Sequence, residues 1–238
     1  MNSDCNMSNL YCIVHKCWHA DCPDEDHLDF TLVPLTNLSP DSIQRANWEG
    51  VSPSCRHMPV NTTVIAFYSG TAPDHRGRYL HEIQAWSDDW LEAAHDYIQW
   101  LFPLPEPSGF NAAAPILTRE SVQEFRTRTE LQERLRVSFL CMMNFYGLEV
   151  RSGEQITVTC APNFAARATV WLSPANHNHL RITRILRCLS ILGLEPEARA
   201  FFDCLSGIYG DEQNKPMPAI SDETILYWRK AGGHGCSL

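Results

Sequence analysis

Three side chains able to transfer protons lie within little more than one helical turn. Glu92, His95 and Asp96 occupy positions i, i+3 and i+4, so a helix would hold them on neighbouring surfaces. Imidazole has an ordinary pKa of about 6.5, which suits His95 to general acid or base catalysis. Glu92 would orient the ring, and Asp96 completes the predicted catalytic set. The same residues also fit a structural role, in which a buried His95 hydrogen-bonds to a facing segment.

A second polar set begins at residue 176. His177, Arg181 and Arg184 are spaced i, i+4 and i+7, so they share one helical face that is distinct from the apolar face. Two arginines near the start of a helix favour a carboxylate or phosphate group. The predicted ligand-binding residues are Asn176, His177, Asn178, Arg181, Arg184, Trp100 and Trp86. The alternative is an ion-pair network between these arginines and the acids near Glu92.

An aspartate-rich run, Asp88-Asp89-Trp90-Leu91-Glu92, offers hard oxygen ligands at helical spacing. Such ligands suit Mg²⁺, and the run is similar to the pattern with which class I terpene synthases bind magnesium and diphosphate. The alternative is electrostatic, because acids in the first turn of a helix stabilise its N-terminus. Ser87 would then be the N-cap.

A cysteine and histidine cluster lies close to the N-terminus. Cys12, His15, His19 and Cys22 are spaced i, i+3, i+7 and i+10, and a helix would align them. Thiolate and imidazole are the ligands that zinc prefers, so the cluster predicts a zinc site. The alternative is a set of exposed thiols and imidazoles without a metal.

Helical periodicity with start and stop signals describes most elements that would position these residues. Five helices are predicted within residues 80–86, 87–100, 118–146, 180–193 and 196–205, and a sixth begins at Ser221. Ser87, Thr118 and Ser221 are expected N-caps, whereas Gly147 and Gly193 are expected helix stops. Propensity alone would make ITVTC and ATVWL strands.

Composition limits the classes of function. The chain has 238 residues, a net charge of −9 and 44% apolar residues, which is enough for a substantial core. The acidic balance disfavours nucleic acid as a partner. No stretch reaches the roughly 20 apolar residues that a membrane-spanning helix needs, and the N-terminus lacks the pattern of a secretory signal. The expected location is the cytoplasm, with the nucleus as the other option.

Two long blocks carry a family resemblance. LEAAHDYIQWLFPLPEP (Leu91–Pro107) and NHNHLRITRILRCLSILGLE (Asn176–Glu195) resemble the signature blocks of the opioid growth factor receptor conserved domain. Weaker matches at Phe67–Trp86 and Asn144–Gly147 extend the resemblance. It implies a helix at residues 163–172, where propensity favours a strand. His179 stands where similar proteins often carry an aromatic residue, and the chain after residue 207 has no recognised counterpart.

The combined prediction is a mainly α fold. A single multi-helix domain of the opioid growth factor receptor type occupies 64–231, after an irregular Cys/His-rich segment at 1–63 and before a flexible tail at 232–238. The first functional hypothesis is a small-molecule-binding domain, a cofactor-free isomerase or cyclase for a largely apolar ligand with an anionic group. The second is a non-catalytic peptide-binding module, which the resemblance implies. The third is magnesium-dependent diphosphate chemistry at Asp88 and Asp89.

Overall fold

The computed structural model describes residues 11–12, 17–18 and 64–232. The chain divides into two units, residues 1–60 and residues 61–238. In the first unit, strands β1 (Tyr11–Cys12) and β2 (Cys17–Trp18) pair antiparallel. The second unit contains every other element described below.

Residues 64–232 are mainly helical, as predicted. Ten helices follow one another along this part of the chain. Helices α1 to α10 are Val64–Tyr68, Leu80–Gln84, Asp88–Ala93, Ile98–Leu101, Arg119–Thr127, Thr129–Tyr146, Phe164–Trp171, His177–Leu192, Glu195–Glu212 and Asp222–Ala231.

The helix boundaries that were predicted from capping residues and from Gly147 are confirmed. Ser87, Thr118 and Ser221 are N-caps whose hydroxyl groups accept backbone N–H bonds of the first turn. Gly147 ends α6 with φ 73°, a left-handed conformation that glycine adopts at little cost. A Cβ at Gly147 would also lie 2.7 Å from the Cβ of Arg167, so this position needs glycine for close approach to α7.

Two predicted long helices are each broken. The segment from Asp88 to Trp100 is interrupted after Ala93, because Ala94 takes an extended conformation with ψ 139°. The segment from Thr118 to Tyr146 is interrupted at Arg128, which is also extended. Threonines flank Arg128, and β-branched residues lower helix propensity. The apolar periodicity continues across both breaks and therefore does not reveal them. The prediction of continuous helices, which relied on that periodicity, was wrong.

A short hairpin follows α6. Strands β3 (Leu148–Arg151) and β4 (Thr157–Cys160) pair antiparallel, with Leu148 opposite Cys160. The strand predicted from ITVTC is therefore confirmed. Residues 164–171 form helix α7, so the structure agrees with the resemblance and contradicts strand propensity for ATVWL.

Helix α8 lies at the centre of the core. Its residues Ile182, Ile185, Leu186, Leu189 and Leu192 have no solvent exposure. Helices α5, α7, α9 and α10 pack against it. Cys188, on the same helix, is also fully buried. Within residues 64–232 no helix is both long and apolar enough to cross a membrane.

Helix α10 is joined to α8 by an aromatic contact. Trp228 is fully buried, and its indole N–H donates to the carbonyl of His179 at 3.1 Å. The His179 ring meets the Trp228 ring edge to face with centroids 5.5 Å apart. Nε2 of His179 also lies 3.0 Å from the carbonyl of Trp171. His179 therefore packs against aromatic residues while hydrogen-bonding to the end of α7.

Candidate functional site

The start of α8 brings the two signature blocks together. Asn176 is the N-cap, and its side-chain carbonyl accepts the N–H of Asn178 at 2.9 Å. Its amide donates to the carbonyl of Val170 at 3.0 Å, which ties α8 to the end of α7. The first turns of α8 then present His177, Asn178 and Arg181 to helix α3. Asn176 thus positions the predicted site by ending one helix and starting the next.

The guanidinium of Arg181 binds the C-terminal end of α3. It donates to the carbonyl of Leu91 at 2.9 Å, that of Ala94 at 2.8 Å and, less closely, that of Glu92 at 3.4 Å. The last carbonyls of a helix have no partner inside the helix. Arg181 supplies that partner from α8, and only 5% of its side chain is exposed. This bonding joins segments about 90 residues apart in the chain.

Glu92 faces the same helix. Its carboxylate accepts the side-chain amide of Asn178 at 3.1 Å, with Arg181 3.7 Å away. Nε2 of His177 lies 3.3 Å from the other carboxylate oxygen. Burial and the charge of Arg181 lower the pKa of His177, and Glu92 does not reverse the shift. The contact is therefore between a neutral imidazole and a carboxylate at neutral pH.

His95 is bonded to Arg181 rather than to either predicted catalytic partner. Its Nδ1 lies 2.9 Å from the guanidinium. A guanidinium can only donate, so Nδ1 is the accepting, unprotonated nitrogen. The ring is exposed and meets the His177 ring edge to face at 5.2 Å. The lone pair at Nδ1 is thus already used in holding Arg181.

Asp96 belongs to a separate polar cluster. Arg78 donates to it at 3.0 Å, Arg76 forms a close ion pair with it, and Nε2 of His75 lies 3.6 Å away. Asp74 is buried and accepts the Nε of the same Arg78 at 2.7 Å. Burial opposes ionisation of Asp96, but the hydrogen bond and charge of Arg78 outweigh it and lower the pKa of this carboxyl group.

Trp100 and Trp86 are both attached to that second cluster. The indole N–H of Trp100 donates to Nδ1 of His75 at 2.9 Å, which leaves Nε2 of His75 to face Asp96. Trp100 is only 3% exposed. The Arg78 guanidinium lies over the Trp86 ring, 5.3 Å from its centroid. Both tryptophans, which were predicted to bind a ligand, therefore have structural partners within the protein.

Sequence reasoning missed Asp74, His75, Arg76 and Arg78 as members of a cluster. Asp74 accepts the backbone N–H groups of Arg76 and Arg78 at 2.8 and 3.0 Å, which closes a turn. Aspartate before a basic, glycine-containing stretch is a known signal for such turns. That signal was present in the sequence, but it predicts only the turn and not the approach of Asp96.

Arg184 does not join Arg181. It donates to the carbonyl of Phe102 at 3.0 Å and is half-buried. Burial lowers its pKa, and the neighbouring Arg187 adds to the effect. The two arginines of the predicted anion site therefore bind backbone carbonyls at different places in the fold.

The predicted metal ligands fall in two groups. Asp88 forms a 3.3 Å ion pair with Arg167, and its pKa is raised by burial and by Asp89, against the effect of Arg167. Among residues 64–232, no three acidic, histidine or cysteine side chains converge as metal ligands would. His15, His19 and Cys22 lie outside the described residues, and only the backbone of Cys12 is described, in β1. The zinc site stays a prediction.

These features define a helical domain in which two signature blocks are joined by a buried arginine, and comparison with known proteins identifies the family. Residues 58–206 match the family described as "Opioid growth factor receptor (OGFr) conserved region". The chain belongs to this family, as the resemblance predicted.

Several relatives share the matched region. The chain is 45% identical to the opioid growth factor receptor of Mus musculus over 135 residues, which are 55% of this chain and 21% of the receptor. It is 45% identical to that of Homo sapiens over 122 residues, 50% and 18% of the two chains. It is 42% identical to opioid growth factor receptor-like protein 1 of Xenopus tropicalis over 135 residues, 55% and 26%. No solved structure matches the chain.

The match therefore spans only about a fifth to a quarter of the curated relatives. Even so, it overturns the first functional hypothesis. The relatives are named as receptors, so the expectation of a small-molecule isomerase or cyclase was wrong. Nothing in the family supports the terpene-synthase-like chemistry at Asp88 and Asp89, which is corrected as well.

Proposed function

We propose that residues 64–232 form a non-catalytic module that binds a peptide. The observation that carries the proposal is the family match over residues 58–206, together with 45% identity to proteins named opioid growth factor receptor. Because those proteins are much longer than the matched region, the peptide-binding role of this chain is inferred from a shared domain. Fold likeness alone would be a weak reason, so the surface chemistry must also suit a peptide.

The bonding of the polar residues supports binding rather than chemistry. Arg181 is bonded to carbonyl groups at the end of α3, Glu92 is bonded to Asn178 and paired with His177, and Asp96 is bonded to Arg78 and paired with Arg76. A catalytic acid or base must reach a substrate proton at hydrogen-bond distance. Side chains already committed to the scaffold are better suited to holding a surface rigid.

The outer side of α3 is the surface we assign to the peptide. Asp89, Trp90 and Ala93 are exposed residues of α3, and Ala93 lies i+4 from Asp89 and i+3 from Trp90, so the three share one side of the helix, which we name the α3 face. Trp90 is 45% exposed, and its ring lies 6.1 Å from that of Trp86. Tryptophan is enriched among the residues that dominate binding energy. An apolar peptide side chain would pack on Trp90, and a cationic group would pair with Asp89.

Calorimetric titration of the full chain with opioid growth factor, the ligand that the relatives' name gives, tests the proposal. We expect saturable binding that Trp90→Ala weakens about tenfold or more, since an aromatic contact of about 1.4 kcal/mol would be lost. Tyr227→Ala is the matched control, because Tyr227 is an exposed aromatic residue on α10. Absence of binding, or equal weakening by both variants, would contradict the proposal.

The predicted cytoplasmic or nuclear location is part of the same proposal. Microscopy of the fluorescently tagged chain in cells would test it, and accumulation of the tag in a secretory compartment would refute it.

A further inference from the structure

Two cysteines from different elements meet beside the hairpin. Cys160 is the last residue of β4, and Cys204 lies in α9. Strand β4 packs on α9, and the two thiols are within hydrogen-bonding reach of each other. Val158, two residues before Cys160, is buried in the core. Residues two apart in a strand point to the same side, so Cys160 is directed toward the helix.

The pair differs from the other described cysteines in its mutual contact, and Cys160 differs from them in access as well. Cys160 is exposed and Cys204 is half-buried, whereas Cys188 is fully buried. Cys141 is half-buried and packs against the core. Burial raises the pKa of Cys160, and it raises that of Cys204 to about 12. Both groups are therefore mostly protonated thiols in neutral solution, so their oxidation goes through the small thiolate fraction of the more exposed Cys160.

We propose that Cys160 and Cys204 are a reversible oxidation site that forms an intrachain disulfide when a hydroperoxide reacts with Cys160. The thiolate formed when Cys160 loses its proton attacks the peroxide and becomes a sulfenic acid, and the hydroxide that leaves takes up that proton to give one water molecule. Cys204 then attacks that sulfur, and a second water molecule leaves as the S–S bond forms. In total, two thiols lose two electrons and two protons, and one hydrogen peroxide becomes two water molecules.

The nearby Cys204 thiol determines the product of Cys160 oxidation. A sulfenic acid without a nearby thiol is exposed to further, irreversible oxidation. Here the thiol of Cys204 is already within hydrogen-bonding reach, so the disulfide is the favoured outcome. A small thiol such as glutathione would reverse it by attacking at the exposed Cys160 sulfur. The bond would connect the hairpin to α9 and enclose the whole of α7 and α8 in one covalent loop.

Peptide mapping of the full chain tests the proposal. The chain is treated with hydrogen peroxide, free thiols are blocked with N-ethylmaleimide, and trypsin is added without reductant. Cys160 lies in tryptic peptide 152–167 and Cys204 in peptide 200–229, whereas Cys141 and Cys188 lie in two other peptides. We expect the first two peptides joined, with a mass two hydrogen atoms below their sum, and their separation by reductant.

Matched variants separate the effect of the Cys160–Cys204 disulfide from any other effect of peroxide on stability. Oxidation should raise the melting temperature of the wild type and of Cys141→Ser by about 5–10 °C, because a loop of this length is removed from the unfolded ensemble. Cys160→Ser and Cys204→Ser should show no such rise, and Cys204→Ser should leave Cys160 as overoxidised acid. Joining of peptide 152–167 to a different peptide, or overoxidation of Cys160 in the wild type, would overturn the proposal.

Discussion

His95 and Asp96 are adjacent in the sequence, yet their side chains belong to two different polar clusters. His95 binds Arg181, which comes from a helix about 86 residues later. Asp96 binds Arg78, only 18 residues earlier. The Arg181 cluster therefore connects distant parts of the fold, whereas the Asp96 cluster stabilises the turn before α2.

The two clusters also satisfy charge in different ways. Arg181 meets mostly neutral backbone carbonyls, with one carboxylate at 3.7 Å. Arg78 lies between two carboxylates, those of Asp74 and Asp96. When a buried guanidinium that binds several carbonyl groups is removed, those carbonyls lose their donor. When one of several cations around a carboxylate is removed, the carboxylate keeps another partner. The difference predicts unequal costs of substitution in the two clusters.

The largest expected effect is that of Trp100, the aromatic base of the Asp96 cluster. Trp100→Ala should lower the free energy of unfolding by about 3–5 kcal/mol, because it removes a buried ring and leaves a cavity. Denaturation in urea measures the loss. Trp90→Ala, at an exposed tryptophan, is the control and should change stability by less than about 0.5 kcal/mol. An unchanged melting temperature of Trp100→Ala would show that the ring does not support the fold.

Arg181→Gln should cost about 3 kcal/mol of unfolding free energy, since several backbone carbonyls lose their donor and Glu92 loses a nearby positive charge. The cost should be the same with and without sulfate, because the guanidinium binds carbonyl groups rather than an external anion. The control is Arg187→Gln on the same helix, which removes an exposed ion pair with Glu106 and should cost below about 0.5 kcal/mol. A change in unfolding free energy that depends on sulfate would instead show that Arg181 binds an external anion.

Asp96→Asn should cost about 1 kcal/mol at pH 7, a modest value because the carboxylate is partly exposed and screened. The folded pKa of Asp96 is lowered, so its contribution is present above the ordinary pKa of about 4 and is lost as the pH falls through the folded value. The melting temperatures of wild type and variant should therefore converge in acid. Glu154→Gln, at an exposed loop position, is the control and should melt at the same temperature as the wild type at pH 7.

Arg184→Gln should have the smallest effect, about 1 kcal/mol or less, because one hydrogen bond to the Phe102 carbonyl is lost. Burial of the charge already lowers the pKa of Arg184, so removing the charge recovers part of the desolvation cost. Arg184→Lys keeps a donor and tests whether the hydrogen bond or the charge matters. A loss as large as that of Arg181→Gln would abolish the distinction between the two arginines.

Local chemistry made much of the fold predictable. Capping by Ser87 and Ser221 and the left-handed glycine at Gly147 depend on a few neighbouring residues, so sequence patterns detect them. The break after Ala93 is different. It is held by a hydrogen bond from Arg181, which lies 87 residues further along the chain, so no residue near position 94 indicates the break. Helix breaks that depend on a distant donor cannot be predicted from apolar periodicity.

The candidate site was predictable in part for the same reason. The spacing of His177 and Arg181 placed both on one helical face, and the structural alternative of contact with Glu92 agrees with the observed bonds. Asp96 was grouped with His95 from sequence distance alone. The extended Ala94 separates the two side chains, and the hydrogen bond from Arg181 that holds it is a consequence of tertiary packing.

The contact between Trp228 and His179 bears on how the domain should be produced. The matched family region ends at residue 206, within α9, whereas the fully buried Trp228 lies in α10 and covers the start of α8. A fragment cut at the family limit would lose the last turns of α9 and leave an indole-sized gap beside His179. The smallest piece suited to bacterial expression or labelling for spectroscopy therefore continues to Gly232.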